Sequence, residues 1–105
     1  MPAYMVLAKF TEIGNRRMKT TVERVRATKE EIAAAGGKVI GVWWTMGHYD
    51  LVWVVEMPTD EIAMLTLLTN AMHQECLMDT LRAFSEDEME HIVKRLPGIR
   101  RVHLP

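Results

Sequence analysis

Cysteine is almost missing from this 105-residue chain: Cys76 stands alone, so no disulfide can close within it, the habit of proteins from a reducing compartment. A charge excess is missing too. Thirteen Lys and Arg face 14 Asp and Glu, and a net charge of −1 lacks the basic surplus that nucleic acid or an anionic membrane attracts. No apolar run approaches the about 20 residues of a spanning helix. The start, Met-Pro-Ala-Tyr-Met-Val-Leu-Ala-Lys, has no basic segment ahead of its apolar stretch, unlike a secretory signal. Ser85 is the only serine, and a helix cap accounts for it, which leaves a Ser-His-Asp hydrolase without a nucleophile. Walker loops, G-x-G-x-x-G and H-E-x-x-H are absent, and with them the usual cofactor signatures. Repeats, linkers and low-complexity segments are absent as well. The expectation is one cytoplasmic domain over residues 1–105, with 98–105 a tail, and no membrane, nucleic acid, metal or cofactor among its partners.

What is present supports a packed core. Apolar residues make up 49% of the chain and charged residues 26%, which excludes disorder. A chain of this length can bury roughly two-thirds of its unfolded surface. The apolar run Ala3 to Phe10 predicts a first strand, followed by a turn or short helical piece at Thr11-Glu12-Ile13-Gly14-Asn15. Thr20-Thr21-Val22-Glu23 has capping-box spacing and opens a helix along Val22, Val25, Lys29, Ile32 and Ala33, stopped by Gly36-Gly37. Residues 38–46 and 49–56 are rich in β-branched and aromatic side chains and read as strands joined by a two-residue turn, Gly47-His48. Pro58-Thr59-Asp60-Glu61 opens a second helix along Ile62, Leu65, Thr69 and Met72 to about Gln74. Residues 77–84 form a fourth strand. Ser85-Glu86-Asp87-Glu88, another capping box, starts a short helix through Met89, Ile92, Val93 and Leu96. The order βαββαβ plus a C-terminal helix is the α+β, ferredoxin-like arrangement.

Strand faces carry an inference about assembly. A turn at Gly47-His48 pairs Met46 with Tyr49, Trp44 with Leu51, Val42 with Trp53 and Ile40 with Val55, all on one apolar face. Trp43, Val52 and Val54 lie on the other. Helices cover only one side, so the second apolar side needs another chain, and a homodimer or ring of dimers is expected.

The chain also resembles a known family. Gly47-His48-Tyr49-Asp50, a G-x-Y-D, runs into Leu51-Val52-x-Val54-Val55-Glu56. Pro2-x-Tyr4, Gly36-Gly37-Lys38-Val39, Trp44-Thr45-x-Gly47 and Thr80-Leu81-Arg82-Ala83-Phe84 accompany it in order. Over residues 2–96 these motifs are similar to GYD-domain proteins; His48 and Trp53 are not carried over as family residues. The resemblance implies a ferredoxin-like fold assembled as a dimeric α+β barrel, and a site near the G-x-Y-D segment, but no reaction.

In such a sheet Lys9, Phe10, Thr45, Gly47, His48, Tyr49, Asp50 and Asp79 gather at one edge. Candidate ligand-binding residues are Gly47, Tyr49, Asp50, Thr45, Trp43 and Arg82. Gly41 leaves space in its strand that, beside Trp43 and Val54, would wall an apolar cavity; Arg82 would meet an anion deeper in, or pair with Glu56 or a partner acid. The plainer alternative is that Gly47 makes the turn, Tyr49 packs, and Asp50 caps a loop or pairs with Lys9. His73, Glu75 and Cys76 cluster too, but the zinc-deaminase pattern needs a second cysteine. The nine methionines read mostly as core filler. The basic run Arg16, Arg17, Lys19, Arg24 and Arg26 reads as a solvated helix face. The leading function is an oligomeric binder of a small, partly apolar molecule in the barrel cavity. A cofactor-independent enzyme of monooxygenase, isomerase or dehydratase type is the alternative, with Asp50 or His48 as base and Tyr49 or Arg82 steadying an oxyanion. A structural or regulatory subunit is the third.

Overall fold

Alternation of side chains along two central strands builds the core. In β1 (Ala3–Phe10), Tyr4, Val6 and Ala8 are buried, and in β3 (Leu51–Glu56) Leu51, Trp53 and Val55 are. The register sets Tyr4 beside Val55, Val6 beside Trp53 and Ala8 beside Leu51, so all six share one face. The structure is a computed structural model that describes residues 1–98. Its sheet runs β2-β3-β1-β4 with every neighbouring pair antiparallel, β2 being Lys38–Trp44 and β4 Cys76–Ala83. Helices α1 (Glu12–Arg16), α2 (Thr21–Ala34), α3 (Asp60–Ala71) and α4 (Glu86–Val93) complete the ferredoxin-like α+β order with its extra C-terminal helix. The predicted tail, with its basic segment Arg100-Arg101-Val102-His103, lies outside the described residues apart from Gly98.

Val25 and Ile32 of α2, Ala63 of α3 and Met57 close the core over that face. The other face carries Met5, Leu7, Val52, Val54, Trp43, Leu77 and Leu81, and no helix covers it. Trp43, Leu77 and Leu81 are 53%, 68% and 49% exposed. Helix α4, with no buried residue, stands off from the helix layer and exposes Met89, Ile92 and Val93.

Several expectations give way to local geometry. The β2–β3 hairpin does not turn at Gly47-His48 alone. Strand β2 stops at Trp44 and β3 starts at Leu51, leaving a loop over residues 45–50. The Thr45 amide donates to the Asp50 carbonyl at 2.9 Å, and the Thr45 hydroxyl to the Tyr49 carbonyl at 2.6 Å. Asp50 is drawn to β1 instead: its amide donates to the Ala8 carbonyl, and its carboxylate accepts the Phe10 N–H, both at 2.9 Å. Gly47, at φ 130°, supplies the positive φ the loop needs. Val39, not Ile40, opposes Val55, because the pairing shifts between Val39 and Gly41 and leaves Ile40 as the extra residue of a bulge. Gly41 opens no cavity. A Cβ there would collide with the Trp43 indole, which folds over the glycine on the open face.

The capping box at Thr20 does not form. A 3-10 turn at Met18–Thr20 runs straight into α2, and the Thr20 hydroxyl donates to the Arg17 carbonyl instead. Thr59 does cap α3, and the reciprocal box of Ser85 and Glu88 is complete at α4. Helix α3 ends at Ala71, short of Gln74, and turns Leu65 and Met72 outward. Ala63 faces in, with Ile62 and Leu67 packed beside it. The helix is apolar nearly all round, so periodicity alone cannot choose its inner face. The methionines are also not core filler, since Met57 alone is fully buried and Met46, Met64 and Met72 are largely exposed.

The Asp50 contact yields a test of this loop. Asp50→Ala leaves the Phe10 amide without its carboxylate and is expected to lose about 1–2 kcal/mol, seen as a lower Tm in a thermal melt. Asp50→Asn, which keeps an acceptor oxygen, should fall between. An unchanged Tm in the alanine variant would remove Asp50 from this structural role.

Candidate functional site

Small side chains at the helix–sheet contact leave a gap that larger ones would close. Ala8 on β1, Thr28 on α2, and Ala63 and Thr66 on α3 surround a cavity of about 120 Å³. Trp53, Val55, Leu51 and Val6 form its floor, and Val25, Ile32, Met57 and Leu67 its apolar walls.

Most polar groups in the lining are already engaged. The Thr28 hydroxyl donates to the Arg24 carbonyl, the Thr66 hydroxyl to the Ile62 carbonyl, and the Asn70 amide to the Thr66 carbonyl. Thr21 accepts the Trp44 indole N–H at 3.1 Å. The Tyr4 hydroxyl donates to Asp60 across a short contact. Burial first, and then that bond, push the Tyr4 phenol up to about 12. Arg82 lies over the Tyr4 ring, 5.7 Å from its centroid.

One end of the cavity is charged. Glu75 accepts from Arg17 at 2.9 Å through Oε1 and meets Arg24 through Oε2. The Glu75 backbone carbonyl takes the Thr11 amide, and Gly14 sits so close against that carbonyl that a Cβ would collide with it. The start of α1 is thereby pressed onto the α3–β4 corner. Arg24 lines the cavity, and its Nε is the one buried side-chain nitrogen or oxygen among the described residues with no hydrogen-bond partner. Cys76 also lines it, opposite Phe10 in the sheet. Burial raises the Cys76 thiol above its usual value, Arg24 pulls it back and Asp50 adds to the rise. It is therefore a neutral thiol at pH 7 and a poor nucleophile.

The residues singled out from the sequence lie elsewhere. Thr45, Gly47, His48, Tyr49 and Asp50 do gather in one loop at the sheet edge, with Lys9 donating to the His48 carbonyl at 3.4 Å. The Tyr49 hydroxyl donates to Asp79 at 2.9 Å, which raises its pKa, and its ring meets His48 edge-on. Trp43 is on the open face. Arg82 is not part of that group: it opposes Tyr4, six residues along β1 from Phe10 and so roughly 20 Å away. It pairs with Glu88 at 3.9 Å rather than with Glu56, and stacks 4.5 Å from the Phe84 centroid. None of these seven residues lines the cavity. The charged end of the cavity is formed instead by Arg17 and Arg24, which the sequence places on a solvated helix face, and by Glu75, which it weighs only as a metal ligand. The signal available was spacing, since Arg17 and Arg24 lie seven apart, two helical turns, within the basic run, and Arg24 is followed by Val25 and Thr28 on the inner side.

A four-stranded antiparallel sheet in this order, with helices on one face and a cavity beneath them, defines a ferredoxin-like α+β domain. The chain belongs to the GYD domain family, whose model matches residues 4–93. No curated protein and no solved structure matches it. No helix among the described residues is long and apolar enough to cross a membrane.

The Tyr4 phenol in the cavity wall gives a pH signature. Its folded pKa is raised above the ordinary 10, so the stability it contributes is complete below pH 10 and lost as pH climbs towards 12. Denaturant melts from pH 9 to 12 should show this loss, and Tyr4→Phe should flatten it. The same alkaline slope in both proteins would detach it from Tyr4.

Proposed function

We propose that this protein is an oligomeric binder of a small, partly apolar molecule, held in the cavity between the sheet and helices α2 and α3. The cavity carries the reading. The cavity, about 120 Å³ and lined mainly by apolar side chains, leaves apolar surface that a guest would take out of water, at about 25 cal/mol for each Å² covered. Whole-domain stability is only about 5–15 kcal/mol. A chain of this size, in which Met57 is the one large side chain wholly out of solvent among the described residues, has little to spare, and an occupant that covers the apolar lining adds to it. Engineered cavities of about 150 Å³ take a benzene ring, so the guest is ring-sized or a short branched chain. The enzyme alternative has less support, since its candidate bases, Asp50 and His48, lie outside the cavity and Asp50 already holds the Phe10 amide.

The second part of the proposal is self-association through the open sheet face, two sheets meeting to give the α+β barrel the resemblance implies. On that face Trp43, Leu77 and Leu81 are all about half-exposed or more, an apolar patch that a monomer leaves bare. Exposed methionines adapt readily to a partner surface, and Met64 on α3 with Met72 at its C-cap offer a further contact by which dimers would form a ring. The unpaired thiol of Cys76 fits a cytoplasmic setting.

Two measurements test the reading. Saturation-transfer NMR with toluene should show contact with protein methyl groups, and Ala63→Leu, which fills the cavity from α3, should abolish it while circular dichroism stays native. No transfer in the wild type, or the same transfer in the variant, would sink the binding reading and leave a structural or regulatory subunit. Light scattering at micromolar concentration should show no dominant 12.1 kDa species, with Leu81→Asp on the open face shifting the protein towards monomer. A clean wild-type monomer would refute the assembly.

A further inference from the structure

An apolar pocket with one buried, uncommitted donor selects its guest by where that donor sits. Thr28, Thr66 and Asn70 on the helices around the cavity donate to their own helix backbones, and the Tyr4 hydroxyl goes to Asp60. Thr21, His73 and Thr80 also line the cavity but are none of them buried, so the one buried donor left without an acceptor among the described residues is the Arg24 Nε–H. An N–H of a charged group left unpaired out of water is costly, and an acceptor that reaches it recovers more than an ordinary hydrogen bond would. The local charge points the same way. Two guanidinium groups, Arg17 and Arg24, share the single carboxylate of Glu75, both of whose oxygens are engaged. The cluster therefore keeps one positive charge over.

From this we infer that the cavity takes a compact carboxylate, its ring-sized apolar body over Trp53 and its anionic end against Arg24. The inference rests on the cavity being a binding site and specifies the class of molecule it holds. The burial gradient suits such a guest. The Arg24 side chain is 29% exposed and that of Glu75 18%, so the charged end of the guest stays near water while the body does not. A cation is disfavoured, because Glu75 has no free oxygen to receive it and the Arg17–Arg24 surplus repels it. A neutral hydrocarbon would fill the space yet leave Arg24 Nε unpaired.

Benzoate and toluene, which share the ring and differ in the charged group, separate these cases when titrated by ligand-observed NMR. The wild type should bind benzoate about tenfold more tightly than toluene, the usual gain from a charge-assisted hydrogen bond. Arg24→Met should erase that margin and leave toluene binding intact. Glu75 keeps Arg17 in that variant. Arg17 is largely exposed, and Arg17→Gln removes the surplus charge without touching the cavity wall. It should weaken benzoate several-fold and toluene not at all, which decides the matter even if the Arg24 variant misfolds. Equal binding of the two probes in the wild type, or an unchanged benzoate margin in both variants, would overturn carboxylate recognition and leave the cavity reading standing. Failure of both probes in the wild type would instead remove the cavity reading itself.

Discussion

The sheet is apolar on both faces, and the helix layer can cover only one of them. That constraint organises the rest of the molecule. Antiparallel sheets in small domains usually keep one face wet, with polar residues alternating against apolar ones. Here Leu51, Trp53 and Val55 alternate with Val52 and Val54, so neither side of β3 is suited to water. On the covered side, α2 and α3 meet the sheet through small residues, Ala63 and Thr66 among them, and do not fill the space they enclose. The consequences are a cavity on one side and an uncovered apolar surface on the other. Both are costly for a chain this small, and each calls for something the monomer lacks.

Glu75 is where these demands meet the chain's connectivity. It stands just before β4, yet its backbone carbonyl holds the start of α1, and its carboxylate holds Arg17 ahead of α2 and Arg24 within it. One residue thus ties three segments that are distant in sequence. Exposed ion pairs contribute little, but this one is partly buried and bidentate towards two cations, and a buried charge that loses its partner is expensive. Gly14 completes the corner, because any side chain there would push α1 off the Glu75 carbonyl. The polarity of the cavity's rim is therefore set by a structural joint rather than by groups placed there independently.

How much of this was legible in the sequence follows from the length scale of each signal. The first strand, the Thr59 and Ser85 caps and the βαββαβ order were legible because they depend on near neighbours. The inner face of α3 was not. Ile62, Leu65, Leu67 and Leu68 leave no polar side to orient the helix, and only the shape of the sheet chooses between them. The hairpin failed for a related reason. Gly47-His48 is compatible with a tight turn, and what lengthens the loop is the bond from Asp50 to Phe10, forty residues away. The charged end of the cavity was illegible by the same logic. The residues of the G-x-Y-D segment are close in sequence and do cluster, whereas Arg24 and Glu75, fifty-one apart, meet only once the sheet has formed. Arg24 looked like one more solvated cation in a basic run, because its burial is invisible without α2 docked on the sheet.

The two unmet demands are not independent, because the same strands bear both. In β1, Tyr4, Val6 and Ala8 face the cavity while Met5 and Leu7 face the open side, and β3 repeats the pattern. Neither strand can shift or twist without reshaping both surfaces, since successive residues of one backbone are rigidly coupled at this spacing. A second chain laid on the open face would restrain the strands that floor the cavity, and a guest in the cavity would stiffen the strands that the second chain must meet. Linkage requires the two effects to be equal in free energy, whichever event comes first. Under the proposed assembly and binding, association would prepare the cavity for its guest and occupancy would favour association, without any residue passing directly from one face of the sheet to the other.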